Sequence, residues 1–361
     1  MRINWKFVVR VLISLLVSGV FIVFSLRDTN VKSVLAAVAA ADPRPVFGYL
    51  LALLAVHVVK TVRWGLLLKP LGPIRFKRLN AASAVGFMMM VVLPLRLGEL
   101  ARPLLVAQPT AEGEMRLPRS GCLATVLVER VVDSIAIGVL GIITLYVLAP
   151  VGRYADLARD GAIVVTAGFS FLCLCLVAAF FMQERAAEIV RRLVTPVSPG
   201  LARKLVRLLV GFVRGLHLGS ASRVGGFLVL TVVYWALHVW GFWVVAGAFG
   251  LEISLLMASA VLAFQVVGIM IPAGPGMVGT SQFFTQLGVS VCLPGLLADP
   301  GAAARIAGYA NTIWLLQFGQ QALTGLVFLA LGHISLGAIF TPWEDDPEPE
   351  PAKATAPEPP P

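Results

Sequence analysis

The stretch Leu93-Pro-Leu-Arg-Leu-Gly-Glu-Leu-Ala-Arg-Pro103 decides the fold, because it places charged residues directly after a strongly apolar run that begins at Ala81. Pro94 and Gly98 predict that the apolar helix breaks before or within this charged part. A charge at the centre of a membrane costs about 2.5–3.5 kcal/mol on insertion scales, so a charged, broken helix there favours a polar substrate site. Three charged residues recur at three-residue spacing, which a helix would bring onto roughly one face: Arg96, Glu99 and Arg102.

The composition indicates a polytopic membrane protein. Of the 361 residues, 58% are hydrophobic and only 13% are charged, and the mean hydropathy is +0.88. No soluble core of this size needs so much apolar surface. The net charge of +10 comes from Lys and Arg beside apolar runs. There, such residues orient a chain in the membrane and contact anionic lipid head groups, so we expect no nucleic-acid partner.

Apolar runs predict six helices that cross the whole bilayer. The first run, from Phe7 to Leu26, lacks a convincing cleavage site and is interpreted as a retained span. Basic residues before it place the N-terminus in the cytoplasm, and we expect the C-terminus on the same side of a bacterial-type inner membrane. The predicted spans are residues 7–26, 46–68, 122–149, 161–182, 224–250 and 303–332.

Two further apolar runs, residues 79–108 and 254–298, are interrupted and are predicted to form re-entrant hairpins of opposite orientation. Basic residues flank the first run on both sides, so it is expected to enter and leave on the cytoplasmic side. The second run contains two prolines and three glycines between Ile271 and Thr280, which cannot continue a lipid-facing helix. One broken hairpin in each half is typical of inverted-repeat transporters, whose substrate site lies at the breaks.

The predicted fold class is therefore an all-α polytopic membrane protein. Its membrane domain is expected to cover residues 1–335. Residues 184–223 are strongly basic, which predicts an amphipathic helix on the cytoplasmic membrane surface, although an ordinary basic loop would explain them equally well. Residues 336–361 are acidic and Pro-rich, and we expect a disordered cytoplasmic tail.

The charged hairpin is the first candidate substrate site. Arg96 and Arg102 offer planar forks for phosphate oxygens, and Glu99 could orient an arginine or bind a cationic group. Alternatively, these charges could form an internal ion-pair network that stabilises the hairpin and binds no substrate.

A second group of charges, Glu129, Arg130 and Asp133, lies near the start of the predicted span 122–149. Arg130 can reach Asp133 at three-residue spacing. Because unpaired charges at this depth are costly, the group must pair or face a cavity. A salt bridge to the charged hairpin and a direct substrate or proton role both remain open.

The break after Ile271 is the third candidate site. Glycines let the backbone approach a ligand closely and free amides to bind an anion, although a simple tight turn is the alternative. The residues predicted to contribute are Pro272, Gly274, Pro275, Gly276, Gly279 and Gln282. Further amides in the last helices could line a polar cavity or form interhelical hydrogen bonds: Gln265, Asn311, Gln317, Gln320 and Gln321.

Enzymatic chemistry is not predicted. The sequence has no Gly-x-Ser-x-Gly nucleophile motif, no nucleotide-binding P-loop, and no histidine with a metal-binding partner at helical spacing. We therefore expect no cofactor and no metal.

Three motifs resemble those of the lysylphosphatidylglycerol synthase transmembrane region family, the flippase-type membrane domain of the multiple peptide resistance factor. They are Leu93–Arg102, Val128-Glu-Arg-Val-Val-Asp133 and Ile271–Gln282. The resemblance covers the chain to about residue 335 and implies a stand-alone member without the synthase domain. Met277 stands where the family usually has Gly, and Gln282 where it commonly has Glu.

The resemblance and the two breaks together predict a flippase-like lipid translocase, with membrane lipids of anionic head group as partners. Two alternatives stay open: a membrane enzyme acting on a lipid-linked sugar, and a non-catalytic partner subunit of a lipid-modification pathway. A homo-oligomer is compatible with all three hypotheses.

Overall fold

The computed structural model describes residues 5–27, 30–93, 98–110, 113–148, 183–196, 198–203, 205–206, 220–271, 273–299 and 301–332, with a few isolated positions besides. Within these ranges the chain forms helices and turns, and no strand occurs among the described residues. The all-helical class predicted from the sequence is confirmed for this part of the chain.

The α-helices are numbered here in chain order. They are α1 (Trp5–Leu26), α2 (Val31–Ala40), α3 (Pro43–Leu68), α4 (Phe76–Val92), α5 (Ala101–Ala107), α6 (Arg119–Leu148), α7 (Gln183–Val194), α8 (Ala221–Ala248), α9 (Leu255–Met270), α10 (Thr280–Cys292) and α11 (Ala302–Ala330). Short 3-10 turns occupy Lys69–Leu71, Pro275–Met277 and Pro294–Ala298.

Three helical segments of the described chain are long and apolar enough to cross a membrane: Pro43–Leu71, Ala221–Ala248 and Ala302–Ala330. At a rise of about 1.5 Å per residue, each exceeds the roughly 30 Å hydrocarbon core of a bilayer. They correspond to three of the six predicted spans. A fourth would come from α1 and α2, which are bent by 73° at their break; α2 was not predicted. The predicted span 161–182 lies almost wholly outside the described residues.

Helices α3 and α8 form the antiparallel centre of the bundle. Asp42 caps α3 by accepting a 2.9 Å hydrogen bond from the Arg44 amide, and Ser220 caps α8. The Asp42 amide donates to the Ala248 carbonyl at one end of the pair. The two helices cross closely at Gly241, where a Cβ would lie only 1.9 Å from the Tyr49 ring. Glycine is therefore required at this crossing.

Helices α4 and α5 form the first hairpin. Helix α4 ends at Val92, Leu93 is extended, and the chain returns so that α5 lies antiparallel to α4. Gly86 allows the close approach, since a Cβ there would lie 2.2 Å from Cγ of Arg102. The Arg78 guanidinium closes the open end by donating through Nε to the Val106 carbonyl at 3.0 Å.

Helices α9 and α10 form the second hairpin, and the break between them covers residues 271–279. Gly268 packs directly against the Phe284 ring. Gln265 Nε2 donates to Ser281 Oγ at 3.1 Å across the hairpin. The two helices are therefore held together by both close packing and a buried hydrogen bond.

The two hairpins enter the bundle from opposite ends. Helix α4 begins beside the C-terminal end of α3, whereas α9 begins just after the C-terminal end of its antiparallel partner α8. Their broken tips meet inside the bundle, where the Pro275–Met277 turn packs against α4. This meeting point positions the candidate site.

Candidate functional site between the two hairpins

A cavity of about 110 Å³ lies where the two hairpin tips meet, between α3, α4, α6, α8, α9 and α11. This volume is enough for several water molecules. Four of the amide side chains predicted as a polar cavity wall do line it: Gln265, Gln317, Gln320 and Gln321. The fifth, Asn311, instead bonds within its own helix to the Ala307 carbonyl. The ionisable lining residues are His57, Lys60, Arg130, Tyr234 and His238.

A buried ion-pair cluster adjoins the cavity, and Arg63 of α3 is at its centre. The Arg63 side chain is 0% exposed and forms two hydrogen bonds to the Asp133 carboxylate, at 2.6 and 2.9 Å. It also donates to Glu129 Oε1 at 2.8 Å. Glu129 is 1% exposed, and its second oxygen accepts from Arg102 Nη1 at 2.9 Å. The cluster therefore joins α3, α5 and α6.

Arg102 packs against two aromatic rings. Its guanidinium lies 4.2 Å from the Trp64 ring centroid and 4.6 Å from that of Phe87, distances at which a cation and an aromatic ring attract. Its Nε and Nη2 atoms are buried and find no hydrogen-bond partner within the described chain. For Arg102, the structure therefore shows an internal ion-pair network, which the sequence analysis gave as the alternative to phosphate binding. Arg96, the other predicted phosphate-binding arginine, lies outside the described residues.

Arg130 connects the first hairpin to the cavity. Its Nε lies 3.8 Å from Glu99 Oε2, and both side chains are partly exposed. The sequence spacing suggested that Arg130 could reach Asp133, but Asp133 pairs with Arg63 instead. The sequence analysis left open a salt bridge from Glu129, Arg130 and Asp133 to the first hairpin. Two such ion pairs are present, Arg130 with Glu99 and Glu129 with Arg102.

Lys60 is the residue of the site that sequence reasoning missed. Its Nζ lies 4.0 Å from the Phe87 ring centroid and 5.5 Å from that of Tyr234, and it forms no ion pair with any described residue. With Lys60, the described cluster holds four cations against the three carboxylates of Glu99, Glu129 and Asp133. Of these groups, Lys60 and Arg130 line the cavity, whose described lining includes no carboxylate, and this favours an anionic ligand.

The break of the second hairpin is tied down by internal hydrogen bonds. The Gly274 amide donates to Ser18 Oγ at 2.9 Å, and the Gly279 amide donates to Gln282 Oε1 at 2.8 Å. Gly276, with φ +67, offers its carbonyl to Trp314 Nε1 at 2.8 Å. These two amides are therefore engaged within the protein and not directed at a ligand. Pro275 is exposed, and Pro272 lies outside the described residues.

Met277 is the residue of the second break that lines the cavity. It is 4% exposed, lines the cavity, and has φ +51, a left-handed conformation that is unusual for a residue with a side chain. Glycine, the usual residue of the resembling family here, adopts this conformation without strain. Met277 therefore narrows the cavity at a position whose backbone suits glycine.

Within the part of the chain that the structure describes, no group of three His, Cys, Asp or Glu side chains is placed to hold a metal ion.

The fold and the site define a multi-pass helical membrane protein with a charged cavity inside its bundle. The chain belongs to the family described as the lysylphosphatidylglycerol synthase TM region, whose model matches residues 11–319. The match includes both hairpins, the ion-pair cluster and the cavity-lining residues other than Gln320 and Gln321, and it confirms the resemblance found in the three motifs. It assigns the protein to a lipid-related membrane pathway. No curated protein and no solved structure matches the chain.

Proposed function

We propose that this protein is a lipid translocase, which moves a phospholipid or a lipid-linked head group between the two leaflets of a membrane. The head group would pass through the cavity between the hairpins while the acyl chains stay in the bilayer. One observation carries this proposal: two broken hairpins from opposite ends of the bundle meet at a cavity that contains Lys60, a cation without an ion-pair partner among the described residues.

The proposed topology has six full spans and two re-entrant hairpins of opposite orientation, in a bacterial-type inner membrane. It is supported by the opposite entry of α4 and α9 along the α3–α8 pair. Basic residues cluster where α3 ends and α4 begins, at Lys69, Arg75, Lys77 and Arg78. Because positive charge is enriched in cytoplasmic loops, this end of the bundle is assigned to the cytoplasm, together with both termini.

The proposed ligand is an anionic head group, and the charged residues divide into two roles. Lys60 and Arg130 line the cavity and would contact phosphate oxygens, while the four cavity glutamines supply neutral donors and acceptors. Arg63, Arg102, Glu129 and Asp133 pair with one another and would hold the cavity in shape. The proposal needs neither a cofactor nor a covalent step.

Leaflet exchange in reconstituted vesicles tests this function. The purified protein is placed in vesicles with either a fluorescent anionic phospholipid or a fluorescent zwitterionic one, and dithionite quenching reports the fraction exchanged. We expect protein-dependent exchange that is faster for the anionic lipid. Exchange no faster than in protein-free vesicles, for a series of anionic head groups, would contradict the proposal.

Replacing Met277 with glycine is expected to admit larger head groups. The change widens the cavity and places glycine at a positive φ that suits it. The exchange rate of phosphatidylinositol relative to phosphatidic acid should rise roughly tenfold, a discrimination that a modest difference in pocket size can support. Met277→Leu keeps the side-chain volume and should leave this ratio at the wild-type value. An unchanged ratio in Met277→Gly would show that Met277 does not limit head-group size.

A further inference from the structure

A second, larger cavity of about 740 Å³ opens as a groove at the end of the bundle where α3 finishes and α8 begins. Phe76, in its wall, is 52% exposed, so the groove is open along the side of the helices. Its wall is mostly apolar and includes two cations, Lys69 and Arg223. The lining residues include Leu66, Ile74, Phe76, Leu79, Lys69 and Arg223.

The groove lies at the depth of the lipid head groups. The segment Pro43–Leu71 has 29 residues, so it is about 43 Å long and extends roughly 6 Å beyond each side of a 30 Å hydrocarbon core. Lys69 lies two residues before the end of this span, and Arg223 lies two residues after the start of α8. With this span centred in the bilayer, both cations lie in the head-group layer, and Leu66, three residues deeper in the span than Lys69, lies nearer the acyl chains.

No described residue neutralises either cation. Lys69 and Arg223 form no ion pair with any residue of the described chain, and Arg223 Nε donates only to the Ser220 hydroxyl, at 3.2 Å. Two positive charges above an apolar wall, at the membrane surface, are complementary to a phosphate above an acyl chain. An anionic phospholipid satisfies both parts of this surface at once.

We infer that this groove is a binding site for an anionic phospholipid of the adjoining leaflet, separate from the cavity between the hairpins. The phosphate contacts Lys69 and Arg223, and one acyl chain lies against Leu66, Ile74 and Leu79. The inference requires only that the helices span a membrane. It does not depend on translocation, so the site can exist whether or not the proposed function is correct.

Photo-crosslinking from inside the groove tests the site. Phe76 is replaced by p-benzoylphenylalanine, and the protein is reconstituted with trace fluorescent phosphatidylglycerol or phosphatidylcholine and irradiated. We expect a strong preference for phosphatidylglycerol. In Lys69→Gln/Arg223→Gln this preference should fall roughly tenfold or more, since each cation near an anionic lipid is worth a factor of about five.

The control uses the same crosslinker at Phe47, which is 60% exposed at the opposite end of α3. Crosslinking at this position should be indifferent to the Lys69→Gln/Arg223→Gln change, which also shows that the variant is folded and inserted. Equal crosslinking of the two lipids from position 76, or a preference that persists in the double variant, would overturn the inference. The measurement is lipid crosslinking from position 76 and does not depend on leaflet exchange. The inference can therefore fail or hold independently of the proposed translocase function.

Discussion

Replacing Arg63 with methionine is expected to destabilise the protein by about 3–5 kcal/mol, the typical result of removing one partner from a buried ion pair. Arg63 is fully buried and satisfies the carboxylates of both Glu129 and Asp133. Without it, Glu129 keeps its ion pair with Arg102, while Asp133 loses the only ion-pair partner that it has among the described residues. Unfolding of the purified protein in detergent, followed by loss of helical signal on heating, measures the effect.

Two companion variants make this result specific. Arg305→Met removes an arginine whose partner Asp299 is 43% exposed, and such a surface pair should cost no more than about 1 kcal/mol. Arg63→Met/Asp133→Asn also removes the carboxylate that Arg63 would leave without a partner, and Glu129 keeps Arg102, so part of the lost stability should return. If Arg63→Met were as stable as Arg305→Met, the cluster would not hold the helices together.

Replacing Gly98 with alanine should open the first hairpin. A Cβ at this position would lie 2.1 Å from the Met90 amide nitrogen and 2.2 Å from the Met89 carbonyl carbon. Both atoms belong to the α4 backbone, so they cannot move aside as a flexible side chain could. We expect a loss of about 3 kcal/mol or more, at the upper end of the cost of overpacking, and a matching loss of leaflet exchange.

Gly225→Ala is the matched control for this change. Gly225 lies in α8 with nothing within 4 Å of the added Cβ, so alanine there should be neutral or stabilise by up to about 1 kcal/mol through helix propensity. Thermal unfolding of both variants side by side gives the comparison. Equal melting temperatures for Gly98→Ala and Gly225→Ala would mean that the hairpin does not depend on this contact.

Local sequence signals were sufficient for the helical class, for the spans α3, α8 and α11, and for the two breaks. Long apolar runs and clustered Pro and Gly act over neighbouring residues, so they can be read without a structure. The pairing of charges could not be read in this way. Arg63 is 66 residues from Glu129 and 70 from Asp133 in sequence, and no helical spacing rule extends so far.

A signal for Lys60 and Arg63 was nevertheless present. Both lie within the predicted span 46–68, and a charge inside a span indicates a functional or paired site by default. The partner of the Gly274 amide, in contrast, had no local signal. Ser18, which accepts from Gly274, is 256 residues away, and Gln282 folds back onto Gly279 only because the helix begins there.

Leaflet exchange of one fluorescent anionic lipid, measured for wild type and Lys60→Met at equal protein density, tests whether the head group passes through the cavity between the hairpins. Lys60 is the cation of the cavity that no described carboxylate neutralises, so a phosphate would lose a charge-assisted contact. The account predicts a roughly 10- to 100-fold slower exchange in Lys60→Met. Lys32→Met, which removes the same charge from an exposed site on α2, should match wild type. Equal rates for Lys60→Met and wild type would contradict passage of the head group through this cavity.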